Sequence, residues 1–135
     1  STALDGTGVD ILFGIGGSPE GVIAACALKC MGGEIQARLW PRDEAEKKIA
    51  IEMGFPPDRV LGINELVKSE NVYFSATGIT DGELLRGVHY QSGGATTESL
   101  VMRSRSGTVR RIQATHKWEN LVRFSGIEYA PEQAH

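Results

Sequence analysis

Val9-Asp10-Ile11-Leu12-Phe13-Gly14-Ile15-Gly16-Gly17-Ser18-Pro19-Glu20-Gly21-Val22-Ile23-Ala24-Ala25 is the stretch on which the fold turns. Residues 9–13 form an apolar run that reads as a strand. Residues 14–21 are a tight glycine loop, and Pro19 opens an apolar helix reaching about Met31. Strand, glycine loop and helix N-terminus together make an anion site. Glycines let a ligand approach the backbone, and the first-turn N–H groups of a helix have no acceptor inside it. Glu20 lies in that first turn, where its carboxylate would repel a phosphate unless a cation stood between them. The octapeptide 14–21 therefore points to a phosphate ester and a divalent metal handled together.

Working outward, strands and helices alternate. Gly32-Gly33 ends the first helix, and 34–39 alternates polar and apolar residues as a strand does. Pro41 precedes a charged helix at about 42–53, closed by Gly54, and 55–58 is a turn. A short strand is expected at 60–61, a helical turn at 63–67 and a strand at 71–76. Thr80 and Glu83 have the spacing of a capping box, which predicts a short helix there. Three β-rich runs follow at 88–91, 97–104 and 108–115, with Ser106-Gly107 as a hairpin turn. The tail from Lys117 carries Trp118, Phe124 and Tyr129 and is expected to pack or to cross to a neighbouring subunit. The fold class is α/β, with crossover units first and a hairpin last. The strand–loop–helix junctions at 14–21 and 77–83 are expected at one edge of a sheet, where ligands of such folds gather.

The totals bound the function. A chain of 135 residues is one domain or a piece of a larger one. It opens at Ser1 just ahead of a buried-type strand and reads as the interior of a longer protein. A net charge of −3 argues against a general nucleic-acid binder. No apolar run approaches a membrane span and no signal peptide is visible, so no membrane partner is expected. Cys26 and Cys30, four apart on one helix, read as free core thiols rather than a disulfide. Free thiols and the acidic charge suggest the cytoplasm. His89, His116 and His135 have no metal-ligand spacing with them.

Each candidate site has a plainer reading. The loop is neither a dinucleotide fingerprint, since Pro19 occupies the third glycine position, nor a P-loop, since no Gly-Lys-Ser/Thr follows. It is either a phosphate site or a tight turn with Ser18 as N-cap and Pro19 at N1. Glu20 either offsets the helix dipole or holds a hard cation through oxygen. Thr77-Gly78-Ile79-Thr80-Asp81-Gly82 binds phosphate or sugar hydroxyls, or is a capped turn that needs glycine. Arg103, Arg105, Arg110 and Arg111 grip a phosphate, or form a solvated rim or a subunit contact, the reading favoured here. No nucleophile–base pair stands out, so no catalytic residue is assigned. Metal-assisted hydrolysis needs several carboxylates, and this chain offers Glu20 and few rivals.

Four blocks carry a resemblance: Gly14–Gly21, the run 29–39 (Lys-Cys-Met-Gly-Gly-Glu-Ile-Gln-Ala-Arg-Leu), the run 74–82 (Phe-Ser-Ala-Thr-Gly-Ile-Thr-Asp-Gly) and the run 103–112 (Arg-Ser-Arg-Ser-Gly-Thr-Val-Arg-Arg-Ile). In this order they resemble the C-terminal two-fifths of class II fructose-1,6-bisphosphatase. The resemblance implies a layered α/β sugar-phosphatase fold, distantly shared with inositol monophosphatases. Residues 1–135 would be the C-terminal α/β domain of a longer enzyme whose N-terminal segment holds the main acidic metal cluster, the water-activating hydroxyl and most sugar contacts. It implies hydrolysis of the 1-phosphate of fructose 1,6-bisphosphate with Mg²⁺ or Mn²⁺; photosynthetic relatives also accept sedoheptulose 1,7-bisphosphate. Glu20 is implied as a metal ligand and Gly17 as a substrate contact, with Gly16 and Ser18 beside it in the substrate-binding loop. Ser18 stands where many relatives carry alanine. The implied partners are the sugar bisphosphate, the N-terminal part of the same enzyme and further copies in a homo-oligomer. The alternatives are a phosphatase of another sugar or inositol phosphate, and a non-catalytic phosphometabolite-binding domain.

Overall fold

The computed structural model describes residues 11–125. These divide into two compact units, 11–74 with 102–109 and 75–101 with 110–125.

The first unit opens with the glycine loop and helix α1 (Ser18–Met31). The N-cap is Gly17, in extended backbone, so Ser18 and Pro19 each stand one position further into the helix than the sequence reading placed them. Gly32, in the left-handed region, ends the helix, and the N–H groups of Gly32 and Gly33 both reach the Leu28 carbonyl. Only Ala25 and Cys30 are buried on α1, whereas Val22 and Ile23 are exposed. The apolar helix is thus packed at its C-terminal half, from Ala25 to Met31, and open at its N-terminal half. The thiols of Cys26 and Cys30 are free. Burial pushes the Cys30 thiol up, and the neighbouring Cys26 adds to the shift.

After α1 come β1 (Gln36–Ala37), α2 (Glu44–Glu52), β2 (Leu61–Gly62) and α3 (Ile63–Leu66). Helix α2 is locally specified. Asp43 caps it by accepting from the Glu46 N–H at 2.8 Å, and the Glu46 carboxylate returns to the Arg42 N–H at 2.9 Å. Strands β1 and β2 pair antiparallel, Gln36 opposite Gly62 and Ala37 opposite Leu61. The crossover expected here is therefore a two-stranded antiparallel ribbon with α2 between its strands. Ala25, Cys30, Ala50, Leu61, Ile63, Val67, Val72 and Met102 supply the buried apolar side chains of this unit.

A four-stranded sheet follows: β3 (Tyr73–Thr77), β4 (His89–Gln91), β5 (Gly94–Arg103) and β6 (Thr108–Lys117). Strand β5 is its centre, pairing with β3, β4 and β6. Strands β4 and β5 pair antiparallel, with His89 opposite Thr96 and Gln91 opposite Gly94. In the second unit Leu85, Ala95 and Leu100 are buried, and α4 (Trp118–Ser125) ends the described chain. Tyr129 and His135 lie outside it.

Two expected elements do not form. Val9 and Asp10 lie outside the described residues, but Ile11, Leu12 and Phe13 are in no strand and stand 67%, 77% and 85% exposed. A strand exists only by pairing, and no described strand pairs with these residues. The helix expected from Thr80 is also absent, because the backbone groups it needs are used elsewhere. Arg86 N–H goes to Glu98 Oε2 at 2.7 Å, Gly87 N–H to Asp81 Oδ1 at 2.8 Å and Val88 N–H to the Ile79 carbonyl at 3.0 Å. The junction at 77–83 is therefore a folded-back loop rather than a strand–loop–helix turn.

Candidate functional site

The site is built from the N-terminus of α1. Gly17 accepts the first helical hydrogen bond, from Gly21 N–H at 3.0 Å, and no side chain caps the N–H groups of the first turn. Those groups and the helix dipole face the loop, which favours an anion there. Glu20 folds back over Gly17. A Cβ at Gly17 would collide with Glu20 Oε2 and come within 3.1 Å of its Cδ. A side chain at 17 would therefore displace the carboxylate from its place over the loop, and Gly14 and Gly16 have open space where a Cβ would stand.

Residues 11–20 are all exposed, so the described chain alone does not wall the loop off from water. Glu20 supplies two acceptor oxygens, the donor type a hard divalent cation takes. Among the described residues no group of three or more His, Cys, Asp or Glu side chains is placed to share a metal ion. The chain therefore fits a metal as the donor of one ligand to a larger set.

The other candidates are tied into the fold. Gly78 crosses Arg86 so closely that a Cβ would strike the Arg86 carbonyl, and Gly87 packs against Thr80 in the same way. Thr77 Oγ1 pairs with Ser99 Oγ at 2.8 Å. Asp81 Oδ1 also meets His89 Nε2 at 2.9 Å. The Gly87 N–H, and after it the His89 ring, hold the Asp81 carboxyl below its usual range. Gly78 therefore serves a backbone crossing, whereas Gly82 meets only the Leu85 carbonyl, at 3.8 Å.

Two of the four arginines are engaged within their own unit. Arg103 donates to Asn71 Oδ1 at 2.9 Å and stacks over the Tyr73 ring. Arg111 donates to the Leu84 carbonyl at 2.8 Å and lies 3.6 Å from Glu98. Arg105 and Arg110 are exposed. Arg103 and Arg111 thus hold neighbouring loops, while Arg105 and Arg110 stand in solvent. His116 pairs with Thr97 Oγ1 at 2.9 Å, away from any metal cluster among the described residues.

Sequence reasoning passed over one residue of α1. The Lys29 side chain is only 9% exposed. It donates to Asn64 Oδ1 at 2.9 Å and to the Val67 carbonyl at 2.9 Å, and reaches Glu70 Oε1 at 3.4 Å. The available signal was a lone lysine in an otherwise apolar helix.

The loop, the Glu20 carboxylate and the crossing at Gly78 all lie in a segment that matches a known sequence family. The profile of bacterial fructose-1,6-bisphosphatase, glpX-encoded, matches residues 1–116. The chain belongs to this family. Among its relatives, the class 2 fructose-1,6-bisphosphatase of Haemophilus influenzae is 42% identical, over 88% of this chain and 40% of the relative. Proteins named D-fructose 1,6-bisphosphatase class 2/sedoheptulose 1,7-bisphosphatase from two Synechococcus strains, JA-3-3Ab and JA-2-3B'a(2-13), are also 42% identical, over 86% of this chain and 37% of each relative. The chain thus spans about two-fifths of the length of these class 2 fructose-1,6-bisphosphatases. Among the described residues no helix is long and apolar enough to cross a membrane.

Proposed function

We propose that this chain is the C-terminal part of a metal-dependent phosphatase that hydrolyses the 1-phosphate of fructose 1,6-bisphosphate, giving fructose 6-phosphate and phosphate. The observation that carries this reading is the Glu20 carboxylate seated over Gly17 at the N-terminus of α1, in a chain of the class II fructose-1,6-bisphosphatase family. Gly16, Gly17 and Ser18 receive the substrate's phosphate against backbone N–H groups, which offer directed donors without bulk. Glu20 is one ligand of Mg²⁺ or Mn²⁺. When bound, such an ion polarises phosphoryl oxygens and activates water. The helix N-terminus adds fixed positive potential at the same place.

The remaining ligands belong to an N-terminal part of the enzyme, so the 135 residues alone turn nothing over. Ile11, Leu12, Phe13 and Ile15, exposed here, are the apolar contacts that part would cover. The Synechococcus relatives' name supports sedoheptulose 1,7-bisphosphate as a second substrate of the same site. A cytoplasmic location is consistent with the free thiols of Cys26 and Cys30. Assembly as a homo-oligomer is part of the same reading, and light scattering of the complete enzyme tests it.

The test is phosphate release from fructose 1,6-bisphosphate with Mn²⁺ or Mg²⁺ by the complete enzyme and its Glu20→Gln variant. The expected result is activity in the parent and, in the variant, a rise of at least about tenfold in the metal needed for half-activation, with folding preserved. Unchanged metal activation removes Glu20 from the ligand set. Turnover of inositol monophosphate in place of the bisphosphate overturns the substrate.

A further inference from the structure

We propose that Lys29 is a positioning residue for the metal site: it sets the rotation and depth of α1, and so the place of Glu20. The inference rests on the reading of Glu20 as a metal ligand.

Lys29 stands in the last turn of α1 with its side chain almost wholly withdrawn from water. Burying an ammonium is costly unless each donor finds an acceptor. An ammonium has three donors, and three acceptors surround this one: Asn64 Oδ1, the Val67 carbonyl and Glu70 Oε1. All three belong to α3 or the segment just after it. Val67 is the C-cap of α3, so the lysine holds the end of that turn through its carbonyl. An exposed lysine making one surface ion pair would add little. This one clamps two elements through one charge.

Helix geometry carries the consequence to the other end of α1. Lys29 and Glu20 are nine residues apart, about 13.5 Å along the axis and about half a turn around it. Ala25 and the residues after it to Met31 are buried or half-buried, whereas Glu20, Val22, Ile23 and Ala24 are exposed, so α1 is held by its C-terminal half. Glu20 therefore stands on the free end of a rod gripped at its other end. The other contacts of that rod are mostly apolar, and apolar packing is non-directional. Ala25 is small, and the Cys30 thiol, which reaches the Val72 carbonyl just before β3 at 3.6 Å, is a weak donor. Among the described residues of α1, Lys29 makes the charge-assisted directional contacts to α3. Loss of them allows the helix to shift by a fraction of an ångström to an ångström, enough to misplace a ligand.

The test measures Mn²⁺ binding by the complete enzyme, from the electron paramagnetic resonance signal of free Mn²⁺, alongside urea unfolding. The variants are Lys29→Met, the double variant Asn64→Ala/Glu70→Ala, Glu20→Gln, and Glu20→Gln combined with Lys29→Met. Lys29→Met is expected to weaken Mn²⁺ binding by about tenfold. The Asn64/Glu70 double variant, which keeps the lysine and removes two of its acceptors, is expected to weaken it by about threefold. Adding Lys29→Met to Glu20→Gln is expected to weaken it no further, because the lysine acts through the glutamate. A merely structural lysine lowers the unfolding midpoint and leaves the Mn²⁺ affinity of the folded protein unchanged; that outcome overturns the proposal and leaves the Glu20 reading intact. If Glu20→Gln itself leaves Mn²⁺ affinity unchanged, the ligand reading fails and the proposal fails with it. Should Lys29→Met not fold, the Asn64/Glu70 variant decides on the same criterion.

Discussion

Glu20 owes its place to an absent atom. Its carboxylate occupies the volume a side chain at Gly17 would need, so Gly17→Ala is expected to push the carboxylate away. The expected outcome in the complete enzyme is Mn²⁺ affinity lowered severalfold, with a stability loss of about 1 kcal/mol, the cost of alanine at an N-cap. Metal titration and urea unfolding of the same sample separate the two effects. Gly78 is constrained by backbone instead. Its neighbour is the Arg86 carbonyl, which cannot rotate aside, and Gly78→Ala is expected to destabilise by about 1–3 kcal/mol, as overpacking does, read from the urea midpoint. Asp81 makes stability pH-dependent. Its folded carboxyl lies below the ordinary value because it accepts from Gly87 N–H and then from His89. The unfolded chain therefore binds the proton first as pH falls. The contribution is fully present above the unfolded value of about 4 and is lost as pH drops through the lowered folded value. Asp81→Asn should flatten the fall of the unfolding midpoint between pH 5 and pH 3; an equally steep fall in the variant assigns the acid sensitivity elsewhere.

Among the elements, those with local instructions were legible. Helix α2 has its cap, its returning carboxylate and its closing glycine within a dozen residues, and the structure differs from the sequence reading only at the ends. Asp43→Ala is expected to cost about 1 kcal/mol, visible as a lower thermal midpoint. Helix α1, the turn at 106–107 and strands β3, β5 and β6 were legible for the same reason. The Thr80–Glu83 pair offered an equally local instruction and was overruled. Glu98 on β5 takes the Arg86 N–H and Asp81 takes that of Gly87, so the donors that would extend a helix from Thr80 are held outside it. The strand expected at 9–13 failed differently. Its described part, 11–13, carries the right apolar residues, but pairing is a property of two segments, and no described partner is present.

Over the whole molecule, each unit carries its own buried side chains. Leu100 is 1% exposed, and Leu100→Ala is expected to lower stability by about 2–5 kcal/mol, checked by urea unfolding. The exposed loop at the N-terminus of α1 and its single carboxylate lead to a different expectation. The 135-residue chain should release phosphate from fructose 1,6-bisphosphate only at the background rate, while the complete enzyme does so with Mn²⁺. Phosphate release by the chain alone would overturn the proposal that the other ligands lie outside it.

The sequence by itself determined what adjacent residues settle among themselves: the α/β class, helices α1 and α2 apart from their ends, the hairpin turn, the glycine loop with Glu20 and the family it marks. These depend on backbone propensity, caps and short-range hydrogen bonds, all written within a few positions. Only the tertiary structure decided that Glu20 folds over Gly17, that 77–82 is a backbone crossing, that Arg103 and Arg111 are already engaged, and that Lys29 is clamped by α3. Each of these depends on which distant groups arrive at the same point, and a hydrogen bond goes to the acceptor that is nearest and best aligned, whatever its number in the chain.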